Sequence, residues 1–206
     1  MIYDITLPVD AKTAVWPGDH AYTIDWTMRK ATGATVNVTK LTLSPHTGTH
    51  ADAFFHCSDE GPGMGEMSLD PYLGKARVLD APGDGPIDVE RLEKLNWKGA
   101  TRLLFKTRRS RVSDPYAIPF AHLLPAAVDE LGKAGVILVG LDTPSMDEFH
   151  SKTIGAHHAL MRHGIANLEN LDLTEVPAGD YELIALPLKL MGVDGSPVRA
   201  VLRTVS

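Results

Sequence analysis

The stretch HTGTHADAFFHC, residues 46–57, sets His46, His50, Asp52 and His56 within eleven positions of a chain with nine histidines in all. A helix there would bring His46 and His50 to one face, but Asp52 and His56 would lie roughly 200° and 240° round from His50. Pro45 and Gly48 also argue against a helix. In an extended chain the four residues, all at even positions, point to one side, and Ala51, Ala53 and Phe55 point to the core. A straight strand would still hold His46 and His50 about 13 Å apart, too far for one ion, so the chain has to turn. Thr47-Gly48-Thr49 offers that turn, and His50 and Asp52, about 6.6 Å apart along one face, can reach a common ion.

Two imidazoles and a carboxylate suit Zn²⁺ and, less selectively, Mn²⁺, Fe²⁺ or Co²⁺, with a position left for water. A surface loop whose histidines only form hydrogen bonds explains one such residue better than four on one inferred face. Cys57, the only cysteine, points away from His56 in an extended chain, so it reads as an inert, buried thiol and not as a nucleophile.

Working outward, the composition is that of a soluble globular protein, with 44% hydrophobic and 22% charged residues in 206. We expect one domain spanning 1–206. The formal charge of −6 argues against nucleic acid or a membrane surface as partner, and RRSR at 108–111 reads as a solvated loop. A lone cysteine, an N-terminus without signal-peptide pattern and no long apolar run lead us to expect a cytoplasmic protein with no membrane span.

Strands are expected at 21–28, 34–43, 75–81, 101–107, 135–141, 181–188 and 197–204, with 34–43 half-buried from its apolar alternation. Helices are expected over 87–95 behind Asp88, over PFAHLLPAAVDELGKAG (119–135), and over SKTIGAHHALMRHG (151–164) ending at Gly164. An early strand-rich block followed by alternating strands and helices predicts an α+β or mixed α/β fold, strand-rich, with a central mixed sheet and a few flanking helices.

HTGTHADAFFH resembles the H-x-G-T-H-x-D-x-x-x-H signature of the cyclase-like metal-dependent hydrolases. The similarity continues through VWPGD (15–19), GLDTPSMD (140–147), HHALMRHGIANLENL (157–171) and LPLKLMGVDGSPVRAVL (186–202); Phe54 stands where the signature often has proline. The resemblance implies a swivelling β/β/α-like fold and two zinc ions per subunit, or Mn²⁺ or another divalent ion in their place. It implies one ion on His46, His50 and Asp52, a second on Asp52, His157 and Glu169, and His56 as general acid/base. Spacing to the glutamate within the family pattern selects His157 over His158. Trp16 is the implied aromatic substrate contact, with Phe54 a further candidate for the same wall. The implied reaction is hydrolysis of N-formyl-L-kynurenine to L-kynurenine and formate by a metal-activated hydroxide. Opening of the isatin ring or of another cyclic or aryl amide is the rival, a non-catalytic metal-binding protein a remoter one. A homodimer acting on a small molecule is also implied.

Overall fold

The computed structural model of the chain describes every residue except 113, 117, 118 and 206. Its elements run β1 (Ile2–Asp4), β2 (Thr23–Met28), β3 (Val38–Thr42), β4 (His50–Asp52), β5 (Leu73–Asp80), α1 (Val89–Glu93), β6 (Arg102–Lys106), α2 (Pro125–Lys133), β7 (Leu138–Leu141), α3 (Gly155–His163), β8 (Ala166–Leu168), β9 (Gly179–Ile184), β10 (Gly195–Pro197) and β11 (Val201–Thr204). Seven strands make one mixed sheet in the order β1-β11-β9-β5-β6-β7-β8. The pairs from β1 to β5 are antiparallel, and those from β5 through β6 and β7 to β8 are parallel. This is the expected mixed α+β architecture.

Alternation along the central strands divides the core in two. Val78, Leu104 and Leu138 join Ala51, Tyr72, Leu168, Leu183 and Leu202 on one face. Their neighbours Leu79, Leu103, Phe105 and Val139 face the other way, under the three helices, among Leu92, Leu131 and Leu160. Asp88 caps α1 by accepting from the Arg91 N–H (2.8 Å), as expected from sequence. Gly164 ends α3 in the left-handed conformation (φ 65°). The second helix is shorter than expected: Leu124, which precedes a proline, is extended, and the helix starts at Pro125.

Two further expectations need correction. The segment 34–43 is not a half-buried strand: its ordered part, β3, pairs only with β2, and every residue of both strands is exposed. Alternation is the same whether a strand covers a core or stands in solvent. The segment 197–204 is two strands in two sheets, β10 against β4 and β11 between β1 and β9. RRSR is a largely exposed loop as expected, with Arg109 paired to Asp80, Arg111 to Asp172, and only Arg108 half-buried, against Asp142. Among the described residues no helix is long and apolar enough to cross a membrane.

Candidate metal centre

The site forms where β4 meets the end of β8, beside the carboxyl ends of the parallel strands, the usual place for a ligand in such a sheet. Gly48 turns the chain into β4 with φ 67°, and a Cβ there would come within 2.7 Å of the Val9 side chain. Past this turn β4 is extended as expected, with Ala51 and Ala53 in the core and His50 and Asp52 on the other face. Phe55 does not face the core and is 39% exposed, because Phe54–His56 form a 3₁₀ turn that breaks the alternation. Main-chain hydrogen bonds from His50 N to Glu169 O (3.3 Å) and from Glu169 N to His50 O (3.0 Å) clamp the signature to the residue after β8. Antiparallel pairing of β10 with β4 sets Gly195 opposite Asp52 and so brings Asp194 to the same place.

His46, His50, Asp52, His157 and Glu169, scattered over more than 120 positions, therefore meet. Each imidazole has one ring nitrogen taken by an acceptor outside the cluster: His50 Nδ1 by the Gly48 carbonyl (2.9 Å), His157 Nδ1 by Asp147 (2.6 Å) and His46 Nε2 by Asp194 (2.9 Å). The other nitrogen turns inward. His50 Nε2 lies 3.4 Å from both Asp52 Oδ1 and Glu169 Oε2, and His157 Nε2 lies 3.4 Å from Asp52 Oδ2 and 3.3 Å from Glu169 Oε1. His46 Nδ1 is 2.9 Å from Asp52 Oδ1. Metal-binding histidines are held in this way, with the outer hydrogen bond selecting the tautomer that frees the inner nitrogen.

Asp52 Oδ1 supplies the test of fit. It is buried and accepts no hydrogen bond, although two imidazole nitrogens stand within 3.4 Å. A buried carboxylate oxygen without a donor is costly unless a cation meets it. The donor set of imidazoles and carboxylates suits a borderline divalent ion, and the two oxygens of Asp52 face different histidines, which suits two ions. The residues present fit the group.

The grouping by mutual distance differs from that implied by resemblance, and His157 falls in neither set. His50, Asp52 and Glu169 form one set whose ligand atoms lie within 4.8 Å of one another, and His46, Asp52 and His56 form another. His56, exposed and 3.4 Å through Nδ1 from Asp194, is thus near enough to take part in binding or to stand beside it.

Charges are strongly coupled here. Burial disfavours charge on His46, but the carboxylates of Asp194 and Asp52 outweigh it and push the imidazole up to about 9. His50, buried but faced by Asp52 and Glu169, is pushed up to about 10, and His157 is raised well above the ordinary range by Asp147, Asp52 and Glu169. Burial would raise Asp52, yet the surrounding His157, His46 and His50 hold it well below its usual range. Asp194 is lowered chiefly by its bond to His46.

Supporting residues that the sequence did not single out complete the centre. Asp147 Oδ1 accepts from the Ala156 N–H (2.8 Å), and Oδ2 accepts from the His157 N–H (3.0 Å) and His157 Nδ1 (2.6 Å). It serves the N-terminus of α3, which is entered through Ile154 at φ 38° with no cap of its own. Asn167 donates to Asp52 Oδ2 and accepts from the Asp52 N–H (3.1 Å). Both lie in stretches that the family resemblance covers, GLDTPSMD and HHALMRHGIANLENL, but nothing in the spacing of either stretch singles them out.

A cavity of about 550 Å³ opens onto the cluster, and His46, His50, His56, His157 and Glu169 line it. Trp16 stands in its wall, half-buried, its ring 4.9 Å from Phe149 and 5.5 Å, edge-on, from Tyr116. Phe54 does not line the cavity; Tyr116 and Phe149 take the place expected of it. Cys57 is half-buried, with Sγ 3.5 Å from the Phe54 carbonyl, and burial pushes its thiol up, away from reactivity.

Residues 3–148 match the family described as putative cyclase. The chain is 43% identical over 206 residues to a kynurenine formamidase of Bordetella pertussis, covering all of this chain and 99% of that one. Its fold is similar to a potential metal-dependent hydrolase with cyclase activity (TM-score 0.84, 25% identity, 98% of this chain and 96% of that chain). It is also similar to isatin hydrolase A from Labrenzia aggregata (TM-score 0.83, 23% identity, 98% and 93%).

Proposed function

The chain belongs to the putative cyclase family, and from that premise we propose that it is a metal-dependent formamidase that hydrolyses N-formyl-L-kynurenine to L-kynurenine and formate. The reading rests most on one observation: three imidazoles and two carboxylates converge at the floor of a cavity walled by Trp16, Tyr116 and Phe149. The full-length likeness to a kynurenine formamidase supports the substrate.

His46, His50 and Asp52 would hold one divalent ion, and Asp52, His157 and Glu169 a second; zinc is the ion this donor set suits first. Such ions, when bound, lower the pKa of water and polarise a carbonyl oxygen. The chain's own residues do the rest. Asp194 accepts from His56 Nδ1, which leaves Nε2 as the atom that exchanges a proton. His56 delivers that proton to the aniline nitrogen as the C–N bond breaks, the task of a general acid. Trp16 and Phe149, whose rings meet at a tilt, hold the flat ring beside the cluster and keep water from that side. Asp147 and Asn167 keep His157 and Asp52 in place. The reading extends to a homodimer, supported by Ile24, Trp26, Met28, Val38 and Leu41, all exposed on the β2–β3 hairpin.

The test compares kcat/KM for N-formyl-L-kynurenine, formanilide and isatin on one metal-analysed preparation. N-formyl-L-kynurenine is expected to be best. Isatin ahead by tenfold or more would move the assignment to a cyclic-amide hydrolase.

A further inference from the structure

Beyond the rings and the cluster, the same cavity is lined by two carboxylates that the reaction does not use, Asp19 and Glu148. Asp19 is half-buried and Glu148 exposed, so both stand on its solvent side. Neither forms an ion pair among the described residues, and no lysine or arginine lines the cavity. Burial and then the charge of Glu169 push the Tyr116 phenol up to about 12, and Asp19 lies close enough to add to the effect. The acidic groups of the cluster are engaged with imidazoles: Asp52, Glu169, Asp147 and Asp194. Asp19 and Glu148 are left without a cationic partner in a cavity that Trp16, Tyr116 and Phe149 also line. Carboxylates beside aromatic rings recognise an ammonium group through charge and cation–π attraction together.

We propose that this cavity selects aryl formamides by a positively charged arm, held by Asp19 and Glu148 against the rings of Trp16, Tyr116 and Phe149. The enzyme therefore also hydrolyses formanilides whose arm ends in an ammonium and carries no carboxylate. Among the described residues a carboxylate on the arm finds no lysine or arginine in the lining, and the imidazoles there are engaged by Asp52, Glu169, Asp147 and Asp194. This inference rests on the formamidase reading. The reaction is the same for each substrate: water adds to the formyl carbon, the C–N bond breaks, the nitrogen gains a proton, and formate leaves with the water's oxygen.

The experiment uses four substrates on the metal-loaded full chain: N-formyl-L-kynurenine, the amine left by removing its carboxylate, the acid left by removing its ammonium, and neutral ortho-formamidoacetophenone. The amine is expected to match or exceed N-formyl-L-kynurenine in kcat/KM, and the acid to fall about tenfold or more below the amine, chiefly through KM. High salt should narrow that gap. In the double variant Asp19→Asn, Glu148→Gln the amine-to-acid ratio should drop about tenfold. An amine no better than the acid, or a ratio unchanged in the double variant, would overturn the inference and leave the formamidase reading standing. Failure to hydrolyse any of the four would overturn that reading itself.

Discussion

Replacing Asp147 perturbs the centre without touching an inward-facing ligand atom, and its consequences follow from three hydrogen bonds. The carboxylate is buried and accepts from the Ala156 N–H, the His157 N–H and His157 Nδ1. In Asp147→Ala the first turn of α3 loses its acceptor, worth about 1 kcal/mol, and the buried His157 Nδ1–H is left without a partner, worth about 1–3 kcal/mol. The expected loss is about 2–4 kcal/mol, or a Tm lower by about 5–15 °C in a chain of this size. Asp147→Asn is the sharper probe. Its amide has one oxygen for two clusters of donors, so either the Ala156 N–H or the His157 side faces an NH₂ group. Its stability loss should be about 1–2 kcal/mol. With the NH₂ toward His157, the imidazole is driven to carry its hydrogen on Nε2, the atom that faces Asp52 and Glu169. Metal affinity should then fall about 10–100-fold. Thermal melts with and without metal, and chelator competition, read both effects. An Asp147→Asn protein that melts and binds metal like the wild type would refute the assignment of His157 Nε2 to the metal.

Three other outcomes follow from the same geometry. His56→Ala should retain its metal and lose about 10²-fold or more in kcat; metal content falling together with activity would put His56 in the coordination set with His46 and Asp52. Trp16→Ala should raise KM for N-formyl-L-kynurenine about tenfold with kcat little changed, because the ring is held alike in ground and transition states; a loss confined to kcat would contradict this. In chelated protein, His46 and His50 are raised to about 9 and about 10, so the stability they contribute is fully present below about pH 6.5 and lost as pH rises through those values. Its Tm should accordingly decline from about pH 6.5 to 10, and added metal should release protons across that window; a flat or rising Tm would contradict the coupling.

How much of this the sequence disclosed depends on whether the signal was local. Alternation through HTGTHADAFF placed His50 and Asp52 opposite Ala51 and Ala53, and Gly48 marked the turn. It failed at Phe55, where one turn of 3₁₀ helix cancels the period. The parallel core strands were legible as apolar runs, but their order was not, since β9 and β11 return from the C-terminus to complete the sheet. Likewise His157 and Glu169 owed their selection to family resemblance, not to physics readable from a helix and a short strand. Asp147, Asn167 and Asp194 were missed because their partners lie 10, 115 and 148 positions away in sequence, through contacts that only the closed fold creates. The β2–β3 hairpin shows the converse: its pattern was read correctly as strands, while its exposure depends on what the rest of the chain leaves uncovered.

The central claim, two ions shared through Asp52 and needed for formamide hydrolysis, is tested most directly by one titration. Chelated protein is supplied with Zn²⁺ in known increments while formate release from N-formyl-L-kynurenine is followed. The account predicts no measurable turnover without metal and a rise that breaks at two equivalents per chain; a break at one equivalent, or full activity in the metal-free protein, would contradict it.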